Sequence, residues 1–171
     1  MPKRSPSEIE APSLDAIDRR ILGILQHDSL IANQDLADRV GLSPPACLKR
    51  VRRLRARRVI LGTVALVAPE AVGYPVLVMA RVKLERPREE MMQEFERKMI
   101  ALPPVIQCLT VAGDIDYIIV VRARDIAEYQ AFSRTVFATD PSIRSYTSEI
   151  VLDVAKWTTK VPLEVASASE R

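Results

Sequence analysis

The chain of 171 residues is 48% hydrophobic but only 5% aromatic, which is enough for a largely aliphatic core in one domain or two small ones. Its formal net charge of +3 is unevenly placed, since residues 1–70 carry 12 Lys and Arg against 8 Asp and Glu. One histidine and two distant cysteines exclude a Cys/His zinc site and suit a reducing cytoplasm, and no apolar run is long enough for a signal peptide or a membrane span.

The first elements are a tail and two helices. Residues 1–12 are polar and rich in Pro and Ser, so we expect a mobile tail. Apolar residues at helical spacing predict a first helix over residues 14–27, capped by Ser13 or Asp15. A second, shorter helix is predicted over residues 33–40.

Residues 41–58, GLSPPACLKRVRRLRARR, predict a turn followed by a strongly basic helix. Gly41 can adopt the left-handed conformation that ends a helix, Ser43 can cap the next helix, and Pro44 suits its first position. Seven Lys and Arg and no acid occupy residues 49–58. Apolar residues at i, i+4 and i+7 mark the buried side of the helix: Cys47, Val51 and Leu54. Together with the preceding helix, this pattern predicts a helix-turn-helix.

In such a motif the start of the second helix reaches base edges of double-stranded DNA, and cations further along meet phosphates. The candidates at the start of the helix are Ser43, Pro45, Ala46, Lys49 and Arg50. The candidates for phosphate contacts are Arg52, Arg53 and Arg57. An ordinary amphipathic helix with a solvated basic face is the alternative, and the glycine turn and the helix before it favour DNA binding.

Strands and helices alternate in the second half of the chain. Residues 59–73 are expected to form a short strand and a connector that ends the first domain. Strands are predicted over residues 75–84, 105–112, 117–123 and 143–155, and helices over residues 87–101 and 125–138. The order β-α-β-β-α-β is that of a ferredoxin-like domain. Beyond Pro162 we expect a frayed tail.

Three stretches together resemble the Lrp/AsnC, or feast/famine, family of regulators. They are LDAIDRRIL (14–22), DLADRVGLSPPACLKRVRRL (35–54) and VAGDIDYIIVVRARD (111–125). The resemblance implies an α+β protein with a winged-type helix-turn-helix over residues 13–62, a linker strand over 63–74, a βαββαβ effector-binding and oligomerisation domain over 75–160 and a C-terminal tail over 161–171. It further implies a cytoplasmic, nucleoid-associated transcriptional regulator that is not an enzyme.

The resemblance also implies partners and an effector site. The protein would be a homodimer that assembles into tetramers or octamers, and it would bind an amino acid between subunits with no other cofactor, no metal and no membrane. The implied effector residues are Gly113, Asp114, Asp116 and Tyr117, and more loosely Thr135, Thr147 and Ser148. Asp114 or Asp116 could pair with the ammonium group of an amino acid, while turn N–H groups hold its carboxylate. The alternative is that Gly113 and Asp114 only make a tight hairpin.

Two positions depart from the family pattern. Ala32 stands where a capping Ser or Thr is usual, so Asn33 would have to cap the second helix. Arg58 stands where a glycine usually follows the basic helix, which predicts an arginine strained in the left-handed region.

Two further hypotheses remain: a ligand-independent architectural DNA-binding protein, and an enzyme. The enzyme is disfavoured because no nucleophile with a visible base, metal set or phosphate loop is found in the sequence.

Overall fold

The computed structural model describes residues 13–163. The predicted N-terminal tail and residues 164–171 of the predicted C-terminal tail lie outside this range. The chain divides into two compact units. Among the described residues, the first unit contains residues 13–65 and 158–163, and the second spans Leu66–Trp157.

Three helices form the described part of the first unit, which contains no strand. They are α1 (Ala16–His27), α2 (Asn33–Val40) and α3 (Pro44–Ala56). Asp15 caps α1, because its Oδ1 accepts a hydrogen bond of 2.7 Å from the N–H of Asp18. The apolar faces of the three helices meet in one core of Ile21, Leu22, Leu36, Ala37, Val40, Cys47, Val51 and Leu54.

The chain returns to this first unit at its C-terminal side. The side chain of Gln26 on α1 bonds to both backbone groups of Val161, at 3.1 Å to the carbonyl and 2.7 Å from the N–H. The Lys160 ammonium lies 2.9 Å from Nδ1 of His27, and Leu163 packs against the helical core. Residues 158–163 therefore pack with α1. Sequence periodicity cannot register such a contact because a single extended segment carries no repeat.

The linker differs from its prediction. Residues 61–68 form no strand in the single chain, and a short 3₁₀ turn, Glu70–Val72, ends at Gly73 with φ 83°. A strand needs a neighbour to satisfy its backbone groups, and one chain offers none here. Four large apolar side chains of the segment are 61–78% exposed: Leu61, Val64, Leu66 and Val67.

The second unit is a four-stranded antiparallel sheet with two helices. In chain order its elements are β1 (Val76–Leu84), α4 (Glu89–Ile100), β2 (Val105–Thr110), β3 (Tyr117–Ala123), α5 (Ile126–Val136) and β4 (Ile143–Ile150). The strands lie side by side in the order β2-β3-β1-β4. This confirms the predicted βαββαβ arrangement. No helix in the described range is long and apolar enough to cross a membrane.

One face of the sheet forms the core of this unit. Alternate residues of β1 and β3 are buried there, and they pack with helix residues such as Phe95, Met99 and Phe137. Ala80 at the centre of β1 lies opposite Ile119 on one side and Ser148 on the other. β4 ends at Ile150 rather than at the predicted residue 155, because its pairing with β1 ends at the Val78–Ile150 pair.

Candidate DNA-binding and effector sites

The start of α3 is fixed by backbone geometry. Gly41 has φ 73°, the left-handed conformation expected of it, and its N–H reaches the last turn of α2. Ser43 occupies the cap position of α3 without a side-chain capping bond, and Pro44 follows in the first turn. Asn33 does not cap α2 as predicted, since its Nδ2 instead donates to the carbonyl of Pro44 at 2.9 Å. This bond ties the beginning of α3 to the beginning of α2.

Helix α3 has a buried side and an outer side. Cys47, Val51 and Leu54 are buried, as their spacing predicts. The outer side is exposed at i, i+4 and i+7 and consists of Pro45, Lys49 and Arg52. Leu48 borders this outer side and is 38% exposed. A helix surface of this kind can enter the major groove with its first two turns.

Two of the predicted DNA contacts face α1 instead. Arg50 Nη1 lies 2.5 Å from Oδ2 of Asp15 and 3.0 Å from Oδ1 of Asp18. Arg53 Nη2 lies 2.7 and 2.9 Å from the two carboxylate oxygens of Asp18. The Asp18 side chain is only 2% exposed, so the two guanidinium groups neutralise a buried charge. We refer to these four residues as the α1–α3 ion-pair cluster.

The cluster perturbs the ionisation of Asp15 and Arg50. The hydrogen bond from Arg50, followed by that from the backbone N–H of Asp18, holds the pKa of Asp15 below its ordinary value. The same bonds to Asp15 and Asp18 raise the pKa of Arg50. Both shifts favour the charged forms of Asp15 and Arg50, as an ion pair requires.

Sequence reasoning missed Asp15 and Asp18 as partners of the basic helix. One signal was present: both acids and both arginines are separated by three residues, so each pair shares one helix face. Matching spacings on adjacent helices favour a two-by-two ion-pair cluster.

The C-terminal end of α3 contains the strained arginine that the sequence predicted. Arg58 has φ 56°, and it is the non-glycine residue with positive φ among residues 13–163. The backbone N–H groups of Val59 and Ile60 turn back to the carbonyl of Leu54, at 2.9 and 3.3 Å. Arg57 and Arg58 are both exposed, so the helix ends in two solvent-facing cations.

The predicted effector turn is a tight connection between β2 and β3. Gly113 has φ 138°, which favours glycine, and both Gly113 and Asp114 are exposed. Asp116 is engaged: its N–H bonds to the carbonyl of Val82 at 3.0 Å, and its Oδ2 accepts the N–H of Leu84 at 2.7 Å. Of the two turn acids, Asp114 is the one directed to solvent.

Tyr117 points into the core. Its ring packs on Phe95 with centroids 4.8 Å apart, and its hydroxyl donates to Oε1 of Glu96 at 3.0 Å. Burial first, and then this bond, raises the pKa of Tyr117 well above its ordinary value. Tyr117 therefore supports the turn from beneath, whereas the sequence had it as a possible effector contact.

The remaining effector candidates do not converge in one chain. Ser148 lies on the core face of β4, where its hydroxyl is 2.5 Å from that of Tyr129. Thr147 is on the opposite face of the same strand, and Thr135 is exposed on α5. Gly113, Asp114, Asp116 and Tyr117 are brought together by the turn alone.

One further cleft lies in the second unit, away from the predicted effector turn. This cleft of about 490 Å³ lies beside α4 and the 140–142 turn, and it contains none of the predicted effector residues. Its Lys98 is paired with Glu94 and Asp140, both at 3.3 Å. No group of acids, histidines and cysteines in the described range could hold a metal ion.

Comparisons with known proteins cover both units. Residues 14–55 match the AsnC-type helix-turn-helix domain, and residues 77–161 match the Lrp/AsnC ligand binding domain. The leucine-responsive regulatory protein of Haemophilus influenzae is 38% identical over 85% of this chain and 88% of its own.

Solved structures agree in fold. An AsnC family transcriptional regulator from Agrobacterium tumefaciens has a TM-score of 0.83 and 35% identity, covering 88% of this chain and 97% of its own. A transcriptional regulator from Neisseria meningitidis in complex with L-Met has the same TM-score and coverage at 28% identity.

Proposed function

The chain belongs to the Lrp/AsnC family of transcriptional regulators, and from that membership we propose that it binds particular DNA sequences under the control of a small effector, an amino acid. Like its relatives, it is a helix-turn-helix DNA-binding regulator and not an enzyme. The observation that carries the proposal is the outer side of α3, where Pro45, Lys49 and Arg52 are exposed together. Such a surface fits the major groove in size and charge.

Base reading and phosphate binding are divided along α3. Pro45 and Lys49 lie in the first two turns, where side chains reach base edges, and Leu48 offers an apolar contact to a thymine methyl group. Arg52 and Arg57, further along the helix, are directed to phosphates. Two such helices in a dimer would contact successive major grooves about one helical turn apart on a roughly palindromic site.

The linker supports self-association. Its exposed apolar side chains, Leu61, Val64, Leu66 and Val67, lie on a segment with unpaired backbone. A second copy of the chain can supply both an apolar surface and backbone hydrogen-bonding groups, since its own linker has the same side chains and backbone. We therefore infer a homodimer joined through residues 61–67, which can assemble further into tetramers or octamers.

The effector site is proposed at the Gly113–Asp116 turn, completed by another subunit. Asp114 is the exposed carboxylate that can pair with an ammonium group, and the exposed turn backbone can hold a carboxylate. The L-Met complex of the Neisseria relative supports an amino acid as the effector class. The effector acts by favouring one arrangement of subunits over another, which is a population shift.

Selection from a random duplex library with the full chain tests this function. Enrichment of one motif is expected, and the affinity for that motif is then measured with each of the twenty amino acids. Lys49→Ala should lose motif discrimination, whereas Lys156→Ala, in an exposed segment outside the helix-turn-helix, should retain it. Absence of an enriched motif contradicts sequence-specific binding, and affinity unchanged by every amino acid contradicts amino-acid control.

A further inference from the structure

We propose that Asp15 and Asp18 withhold Arg50 and Arg53 from DNA, so that the phosphate-binding charge of α3 is limited to its outer side and its C-terminal end. The inference rests on the DNA-binding function proposed above. Asp15 and Asp18 act as positioning residues, since they affect DNA through the two arginines. The consequence is lower affinity for arbitrary sequences and hence greater selectivity.

Burial of Asp18 makes the pairing hard to exchange. Its carboxylate is 2% exposed and depends on the two guanidinium groups for charge neutralisation. If Arg53 moved to a phosphate, it would leave a buried carboxylate with one counterion fewer. The electrostatic attraction between Arg53 and a phosphate would be screened by water and salt at the solvent-exposed edge of the groove. Arg53 therefore stays with Asp18 when DNA is bound.

Several hydrogen bonds hold each arginine side chain against the two acids. Arg53 bonds to both carboxylate oxygens of Asp18, and Arg50 bridges Asp15 and Asp18. Asp15 is itself fixed as the cap of α1. Four charged groups on two helices thus form one connected unit, and each arginine side chain is directed from α3 towards α1.

The effect on DNA affinity follows from counterion release. Each phosphate contact steepens the dependence of log affinity on log salt by about 0.9, for any sequence. Withholding two arginines per chain therefore removes about 1.8 from this slope. Because this part of the affinity is independent of sequence, its loss raises the ratio of specific to non-specific binding.

Two neighbouring arginines give a matched comparison on a duplex of random sequence. Arg52→Gln and Arg53→Gln remove the same charge from adjacent exposed positions of α3, one on the outer side and one paired with Asp18. In the full-length protein, Arg52→Gln should lower the salt slope by about 0.9 and Arg53→Gln should leave it unchanged. A fall in slope for Arg53→Gln equal to that for Arg52→Gln overturns the proposal. If Arg53→Gln does not fold, Arg50→Gln takes its place.

Releasing the arginines is the converse test. Asp18→Asn keeps the shape of the side chain and should steepen the slope by about 0.9 to 1.8, and adding Arg53→Gln should cancel about 0.9 of this gain. Asp35→Asn removes the same charge from an exposed position on α2 and should not steepen the slope. An unchanged slope in Asp18→Asn, or an equal increase in Asp35→Asn, overturns the proposal.

These measurements separate the inference from the proposed regulation. All of them use a duplex of random sequence and no effector. A protein with no preferred motif or no effector response would contradict the proposed function, and the slopes would still decide whether the two arginines are withheld.

Discussion

The carboxylate of Asp116 accepts a 2.7 Å hydrogen bond from the backbone N–H of Leu84, which fastens the β2–β3 turn to the last residue of β1. A second bond, from the N–H of Asp116 to the carbonyl of Val82, lies beside it at 3.0 Å. Asp114, two residues earlier in the same turn, is exposed. The turn therefore separates a structural acid from an acid that is available to a ligand.

Alanine variants of these two acids should behave differently. Asp114→Ala should abolish the response to an amino acid while leaving thermal stability and basal DNA affinity unchanged. Asp116→Ala should lower the free energy of unfolding by about 1–2 kcal/mol, because the N–H of Leu84 loses a charged acceptor. Thermal melts without an amino acid give the stability of each variant, and melts with each amino acid give its response to the effector. A full effector response in a folded Asp114→Ala protein would place the site elsewhere.

Relief of backbone strain at Arg58 predicts a stabilised variant. Arg58→Gly should raise the free energy of unfolding by about 0.5–1 kcal/mol, which is the strain relieved less the chain entropy that glycine adds. It should also reduce the salt slope of DNA binding by about 0.9, because an exposed cation is lost. Arg57→Gly removes the same charge at φ −78°, so it should reduce the slope without stabilising the fold. Equal melting temperatures for the two variants would exclude a strain effect.

The low pKa of Asp15 predicts a loss of stability in acid. Its folded-state pKa lies below the ordinary value of 3.8, because Arg50 and the backbone N–H of Asp18 bond to the charged form. The resulting stabilisation is fully present above about pH 4 and disappears as the pH falls through the lower, folded-state value. Asp15→Asn can still cap α1 but lacks the stabilisation that comes from the charged carboxylate. The difference in melting temperature between wild type and Asp15→Asn should therefore shrink below pH 4, and a constant difference from pH 6 to pH 3 would contradict it.

The contact between Gln26 and Val161 predicts protection from proteolysis. Gln26→Ala removes both hydrogen bonds between Gln26 and Val161, which help to hold residues 158–163 to α1, so trypsin should cleave after Lys160 faster than in wild type. Gln34→Ala, an exposed change on α2, is the control and should leave cleavage at this site unaltered. Equal rates in the two variants would show that the segment is held by other contacts.

Periodicity in the sequence was sufficient for most elements of the fold. The strand over residues 117–123 was predicted to the residue, because this mainly apolar run is bounded by the Gly113 turn and by a helix cap at Asp125. The left-handed conformation of Arg58 was predicted from the resemblance, because the family usually has a glycine after the basic helix. Such features depend on local backbone preferences, which a sequence carries directly.

Partners of side chains were harder to predict. Periodicity located Arg50 and Arg53 away from the apolar stripe, but it could not show that α1 offers Asp18 to them, since that depends on how two helices pack. For the same reason the motif at residues 113–117 was found, while the burial of the Tyr117 hydroxyl against Glu96 was not. A residue's face follows from spacing, whereas its partner follows from tertiary structure.

The first unit combines residues that precede the second unit in the sequence with residues that follow it, and this has a consequence for synthesis. Helices α1 to α3 leave the ribosome early, whereas residues 158–163 emerge only after the whole of Leu66–Trp157. The side of α1 that receives Val161 therefore stays open to water while the sheet domain is made and folded. The DNA-binding head is completed late, when the growing chain already carries its linker and sheet domain.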